Sequence, residues 1–386
     1  MNVLADCQVA CRREWCLSAN RFKPASFAHP GRLRDSSMAG DLAREAFENG
    51  RRGLAGVRVA LGLVVLCWAA SGCGIDPAGV PASAGNESTA QDAAGQSAGE
   101  RPAWPVYRGP YPIQVVCTTG MVADLARNVG GQHVAVSALM GEGVDPHLYK
   151  ASPADVRELS RADIIFYSGL HLEGKLAELL ERMSRRKPTV AVAERIAPQK
   201  LLTDEHGARD PHVWFDVSLW SEAAAAVGEA LAALDPPHAA EYQAQQQAYQ
   251  ARLAELHEYV RQRLATIPAP RRVLVTAHDA FRYFGRAYEI EVRAIQGIST
   301  DSEASVRQVA ELVEFLTTRQ IKAVFVETSV SDQNIRALLE GCQARGHRVV
   351  IGGSLFSDAM GKSGTPEGTY EGMIRHNVET IVAALQ

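Results

Sequence analysis

The same tripeptide occurs twice in this chain: Asp145-Pro146-His147 in GEGVDPHLYK and Asp210-Pro211-His212 in ARDPHVWFD. Proline fixes its own φ and pushes the residue before it toward extended geometry. Each Asp-Pro-His segment therefore projects its histidine from a stiffened backbone, and a pre-organised side chain loses less entropy when it captures a ligand. Asp145 and Asp210 could accept hydrogen bonds behind those histidines or simply cap a turn. Two further side chains follow strand-like runs. His278 comes after VLVTA in TAHDAF, and Asp358 comes after RVVIGG in SLFSDAMG. Three neutral imidazoles and one carboxylate are a suitable donor set for a divalent metal ion. A lone loop histidine is more often solvated than ligating. The repeated tripeptide and the placement after strands raise His147, His212, His278 and Asp358 above that background.

The elements that would position these residues can be read from periodicity. IQVVCTT, HVAVSALM, ADIIFYS and TVAVAE are apolar runs of strand length, with helical stretches MVADLARNVGG and SPADVRELSRA between them. Ser152, Pro153 and Asp155 predict a capped helix start there. Continuous apolar strands separated by helices imply a parallel sheet covered on both faces. After Asp216 the alternation stops. VSLWSEAAAAVGEALAAL predicts one helix, and residues 238–267 predict a long one. In the long helix Tyr242, Tyr249, Leu253, Leu256, Val260 and Leu264 fall on one face. Such a helix is either an ordinary core helix or a strut between two lobes. Its length and otherwise polar surface favour the strut. Strand-like runs then resume at RRVLVTA, EVRAIQG, IKAVFVET and HRVVIGG, with helices beginning near Ser302, Asp332 and Thr369 and a capping box expected at Thr300-Asp301-Ser302-Glu303.

The expected class is α/β: two lobes, each a mainly parallel sheet flanked by helices, joined by one long rigid helix. The expected boundaries are a signal region at 1–73, a disordered tether at 74–106, an amino-terminal α/β lobe at 107–237, the linking helix at 238–267 and a carboxyl-terminal α/β lobe at 268–386. A ligand belongs between the lobes, outside the carboxyl ends of the strands.

Composition narrows the function. The chain has 386 residues, 46% hydrophobic, with a formal net charge of −4. A phosphate-binding surface normally makes a domain clearly basic, so nucleic acid is not an expected partner. Arg51, Arg52 and Arg58 lead into VRVALGLVVLCWAASGC, an apolar run of about 14 residues, against ~20 for a membrane-spanning helix. A basic start, a short apolar centre and small residues describe a secretory signal. Ala70-Ser71-Gly72-Cys73 is similar to a bacterial lipobox, with Cys73 as the lipid-carrying residue and Ala70 where leucine is usual. The alternative is an ordinary signal cut near the same place. A translation start near Met38 or later would bring the signal to the amino terminus, and would remove Cys7, Cys11 and Cys16 from the product. The segment from Gly74 to Pro105 is rich in Ala, Gly, Ser and Pro, which is tether chemistry. Asn86-Glu87-Ser88 matches a glycosylation sequon by chance. Cys117 and Cys342 are expected to be buried free thiols.

VDPHLYKASPADVRELSRADIIFYSGLHLE, DPHVWFDVSLW, TAHDAFRYFGRAYEIEV, QGISTDSEASVRQV and GGSLFSDAMGKSGTPEGTYEGMIRHNVETI together resemble the zinc/manganese-binding solute receptors of bacterial metal ABC transporters, the cluster A-I or solute-binding protein 9 family. The resemblance covers about residues 111–386. It implies two lobes on a rigid backbone helix with one divalent ion held between them. Its four ligand positions map onto His147, His212, His278 and Asp358. Manganese-preferring members often carry glutamate at the third position, where this chain has His278. Zinc-specific members often carry a long histidine-rich loop before the second ligand. Here that loop is LLTDEHGARD, with only His206. The resemblance thus implies zinc or manganese without choosing between them. It also implies a membrane permease with a separate ATPase as partners, an extracytoplasmic location, attachment to the membrane through a lipid, and action as a monomer. The linking helix would restrict the lobes to a small rocking or a local loop shift.

Other motifs carry less. His257-Glu258-Tyr259-Val260-Arg261 begins like a zinc-protease motif but has Arg261 where the second histidine belongs, so a solvated helix face is expected. Gly361-Lys362-Ser363 resembles the end of a phosphate loop, but Phe356 stands where the pattern needs glycine. His171 is expected at the crevice edge and His376 on a helix packing face. Glu327, after IKAVFV, reads equally well as a group behind a ligand and as a helix cap. The rival functions are a secreted zinc-dependent hydrolase, which needs an open metal position and a nearby acid or base, and an adhesin whose metal is structural.

Overall fold

The computed structural model describes residues 104–204 and 206–386. The signal region with Cys73, the expected start near Met38 and most of the tether lie outside the described residues.

In the first lobe, strand β1 (Ile113–Cys117) leads to helix α1 (Gly120–Gly130), then β2 (Val134–Ala138), α2 (Pro153–Arg161), β3 (Ile164–Tyr167), α3 (Ala177–Ser184) and β4 (Thr189–Ala191). The sheet order is β2-β1-β3-β4, and every pairing is parallel. The α2 start forms as its sequence dictates. The Ser152 hydroxyl accepts from the Ala154 and Asp155 N–H groups, and the Asp155 carboxylate accepts from the Ser152 N–H at 2.6 Å.

Helices α4 (Val217–Leu234) and α5 (Ala239–Ala265) follow. α4 is long and apolar enough to cross a membrane by length and composition, but it packs Trp220, Val227 and Leu231 into the protein core. α5 has 27 residues, which at ~1.5 Å each gives a rod of ~40 Å. Its buried residues are Tyr242, Tyr249, Leu253, Leu256, Val260 and Leu264, the face read from the sequence. They join one apolar cluster with Val122 and Trp220 on the first-lobe side and Phe284, Tyr370 and Val378 on the second. The core-helix and strut readings are therefore both true, because one face of the helix is buried along its length while the rest stays at the surface.

The second lobe contains β5 (Val273–His278), α6 (Arg282–Tyr288), β6 (Glu291–Gln296), α7 (Val306–Arg319), β7 (Ala323–Glu327), α8 (Gln333–Ala344), β8 (Val350–Leu355) and α9 (Tyr370–Leu385). β5 pairs with β6 and β7 with β8, both parallel. The Glu327 carboxylate ties the pairs together by accepting from the Ala277 and His278 N–H groups at 2.7 and 2.9 Å. The architecture is the expected one: two α/β lobes joined by a long helix, with parallel strands flanked by helices.

One local expectation needs correction. The capping box of α7 is Ser305 with Gln308, not the Thr300–Glu303 stretch. Thr300 and Asp301 are occupied elsewhere. The Thr300 hydroxyl donates to Asp145 at 2.6 Å, and Asp301 accepts from Lys175 at 2.9 Å. Both partners belong to the first lobe. The short helices α3 and α6 carried no clear sequence signal, and neither has a side-chain cap at its start. Cys117 and Cys342 are buried free thiols, and burial raises the pKa of both.

Candidate metal centre

Each of the four side chains is delivered by a chain segment leaving a regular element. His147 lies in the loop between β2 and α2. His212 stands just before the short turn Val213–Phe215 that leads into α4. His278 is the last residue of β5, and Asp358 follows β8 by three positions. All four are buried, His147 being the most exposed at 6%. Each offers a ligand atom within 4.8 Å of the others.

The spacing suits an ion. His212 Nε2 lies 3.3 Å from His147 Nε2 and 3.4 Å from His278 Nε2. It lies 3.4 Å from Asp358 Oδ1, while His278 Nε2 lies 3.2 Å from Asp358 Oδ2. A tetrahedron with metal bonds of ~2.0–2.1 Å has edges of about 3.3–3.4 Å. Asp358 Oδ1 is buried and has no hydrogen-bond partner among the described residues. Such an orphan acceptor is costly unless something positive satisfies it. Both carboxylate oxygens face ring nitrogens, so the same geometry serves one-oxygen coordination, which suits zinc, and two-oxygen coordination, which suits manganese.

Behind the ligand nitrogens the structure separates roles that looked identical in sequence. In both tripeptides the aspartate accepts the N–H of the histidine two residues on, Asp145 at 2.8 Å and Asp210 at 3.0 Å. Only Asp210 also reaches the ring, taking His212 Nδ1 at 2.8 Å. Asp145 instead bonds Thr300. Glu327 accepts His278 Nδ1 at 2.5 Å, so it stands behind a ligand ring, and α8 begins too far along the chain for it to cap. A carboxylate holding Nδ1–H fixes the tautomer that leaves Nε2 free for a metal. Sequence reasoning missed Arg282, Trp214 and Thr300. The Arg282 guanidinium stands 3.6 Å from Asp210 Oδ2, an ion-pair distance too long for a hydrogen bond. The Trp214 ring packs against His212 with centroids 5.2 Å apart, and its Nε1 donates to the Ser357 carbonyl.

The buried rings and carboxylates shift one another's ionisation. Burial lowers the His147 pKa to about 3, so that ring is neutral at pH 7. Burial would lower His212 too, but its hydrogen bond to Asp210 and the nearby Asp358 carboxylate outweigh burial and hold it up at about 9. His278 is raised well above its usual value, because Asp358 and Glu327 outweigh burial. Burial pushes Asp358 up, yet His278 and His212 hold it well below the usual carboxylate range.

Glu327→Gln removes the charge behind His278 while keeping the shape. Losing such an orienting partner is expected to weaken metal binding by about 10–100-fold. Competitive titration against a chromophoric chelator checks this, and unchanged affinity would show that Glu327 serves only the strand ends.

Of the remaining candidates, His171 is exposed with φ +69° and lines a small pocket with Tyr167, Glu173 and Glu194, none of them a member of the four-residue group. His376 Nε2 bonds the Ser354 carbonyl, and its ring packs on Phe356. His257 is not simply solvated, since Nδ1 contacts the Tyr288 hydroxyl at 3.0 Å. Glu258 pairs with Arg261 on the surface, as a helix face would.

Comparison with known proteins adds an independent line. Residues 115–384 match the family described as zinc-uptake complex component A, periplasmic (ZnuA). The chain is 49% identical over 296 residues to the manganese-binding lipoprotein MntA of Bacillus subtilis, covering 76% of this chain and 93% of that one. It is 51% identical over 271 residues to the zinc-binding protein TroA of Treponema pallidum, covering 70% and 88%. The solved structure of that Treponema pallidum periplasmic zinc-binding protein superposes with a TM-score of 0.69, covering 71% of this chain and 99% of the other.

Proposed function

The chain belongs to the periplasmic zinc-uptake component A family, and from that premise we infer that its buried site captures one zinc or manganese ion for import. It is the substrate-binding component of a metal ABC transporter, which implies a permease and an ATPase as partners. It works outside the cytoplasm, as a lipoprotein or periplasmic protein, and it is not an enzyme. The metal is cargo. His147, His212, His278 and Asp358 hold it, Asp210 and Glu327 aim two of the rings, and Cys73 carries the lipid that keeps a monomeric receptor near its permease.

The observation that carries this reading is the convergence of three Nε2 atoms on a buried carboxylate with an unsatisfied oxygen. The hydrolase reading is weaker for a specific reason. Among the carboxylates beside the site, Asp210 and Glu327 are bound to ring Nδ1 atoms, Asp145 is taken by the His147 N–H and Thr300, and Asp279 faces the Arg282 guanidinium, so these groups are engaged in orientation and pairing. The adhesin reading makes the ion structural. Against it, the apolar clusters of both lobes and the linking helix extend far from the ion, through residues such as Val122, Leu256, Leu316 and Leu180 that do not touch its ligands.

A chelator separates these readings. The stripped protein is expected to keep its native circular dichroism and to regain metal reversibly. At metal concentrations 1,000 times Kd, binding should stabilise the fold by about 4 kcal/mol. Unfolding on stripping would mark the ion as structural, and turnover of esters or peptides by the metal-loaded protein would favour the hydrolase. Direct competition of zinc with manganese for the stripped protein then assigns the cargo. The relatives do not choose, since one is named for manganese and another, of nearly equal identity, for zinc.

A further inference from the structure

We propose that His133, His238 and Glu241 form a second, accessory site for a zinc-like divalent ion, separate from the capture site. The three residues each offer a ligand atom within 4.8 Å of the others. His133 immediately precedes β2, while His238 and Glu241 stand at the start of α5. The capture site lies beyond the opposite end of β2, where His147 follows the strand. Five residues of strand separate the two ends by ~17 Å, so one ion cannot serve both.

The local structure is built to present nitrogen and oxygen donors. Gly131 turns the chain out of α1 with φ +54°, where a Cβ would lie 2.2 Å from the Gln245 side chain. That turn brings His133 onto α5. Its Nε2 meets Glu241 Oε2 at 2.8 Å, and its ring lies over that of His238 with centroids 4.0 Å apart, so the His133 ring must turn about its Cβ–Cγ bond for both nitrogens to face one ion. Behind His238 sits Asp235, fully buried. Asp235 accepts the Tyr111 and Tyr242 hydroxyls, each at 2.7 Å, and His238 Nδ1 at 2.8 Å. An aspartate pinned by two tyrosines therefore fixes the His238 tautomer and leaves Nε2 as the free nitrogen, the arrangement that prepares a histidine for a metal.

The charge balance agrees. Asp235 and Glu241 supply two negative charges against the two positive charges of the ion. The partial positive charge at the α5 amino terminus opposes a cation, but it is worth only about half an elementary charge. Two imidazoles and one carboxylate favour zinc over manganese and leave room for water ligands. All three side chains reach solvent, so this ion exchanges without any movement of the lobes, unlike the buried one. This site stands whether or not the capture reading holds.

Full-length protein carrying one equivalent of zinc, titrated with further zinc by calorimetry, tests the proposal. A second, weaker ion is expected to bind. The double variant His133→Ala/His238→Ala, and separately Glu241→Gln at an exposed carboxylate, should weaken that second event by at least about tenfold. The first event should not change. Cobalt(II) gives a parallel readout, with a second set of visible bands in the wild type that both variants lose. Saturation at one ion, or retention of the second ion by both variants with unchanged affinity, would overturn the site. Loss of the first event as well would mean that the variants disturb the lobe, and Glu241→Gln alone then decides.

Discussion

Protein carrying His212→Ala should bind zinc roughly 10²–10³-fold more weakly than the wild type while remaining folded. Structural zinc sites with four ligands are worth about 10–16 kcal/mol, or ~2.5–4 kcal/mol per ligand, which is that range in affinity. His212 is the central member of the group, with His147 Nε2, His278 Nε2 and Asp358 Oδ1 all at 3.3–3.4 Å from its own Nε2. The fold survives because the groups left behind keep other contacts. Asp210 retains the Arg282 guanidinium, and Trp214 retains its bond to the Ser357 carbonyl. Competitive titration reads the affinity, and circular dichroism reads the fold. A folded variant with wild-type affinity would remove His212 from the site.

The pH dependence of binding is expected to be larger still. Metal binds neutral imidazole, so any ring that is protonated in the free protein must release its proton. His147, lowered to about 3, has none to release at pH 7. His212, held up at about 9, releases one, and His278, raised well above its usual value, releases a second. Below about pH 9 the affinity should therefore rise with pH, by between tenfold and a hundredfold per pH unit for one to two protons. It should level off only once pH has passed the values of both rings. The ordinary histidine value of about 6.5 places the loss too low, because the carboxylates Asp210, Asp358 and Glu327 move it upward. The same shifts act on the metal-free fold with opposite sign. Stability from protonated His212 is full below about 6.5 and is lost as pH rises through about 9. Calorimetry in buffers of different ionisation enthalpy counts the released protons. Equal affinity at pH 5.5 and 7.5 would contradict imidazole ligation.

What the sequence made legible was local or periodic. The six-residue apolar face of α5, the capping box at Ser152, and the parallel strands of both lobes all follow from spacing along a few turns. The four convergent residues could be nominated because each leaves a strand or a stiff Asp-Pro turn. What stayed hidden depends on partners far along the chain. Asp145 and Asp210 sit in identical tripeptides, yet one bonds Thr300 and the other the His212 ring. Glu327 took its role from His278, 49 residues away. The α7 start was misplaced because Thr300 and Asp301 are drawn to the first lobe by Asp145 and Lys175. The His133–His238 stack gave no sequence signal at all, since only the packing of α5 on the start of β2 creates it.

The central claim is that one ion sits among His147, His212, His278 and Asp358. Anomalous diffraction at the zinc absorption edge, from crystals of protein loaded with a single equivalent, locates that ion directly. The predicted result is one strong peak about 2.0–2.2 Å from the three Nε2 atoms and an Asp358 oxygen. A lone peak elsewhere in the molecule, with these four side chains unligated, would contradict it.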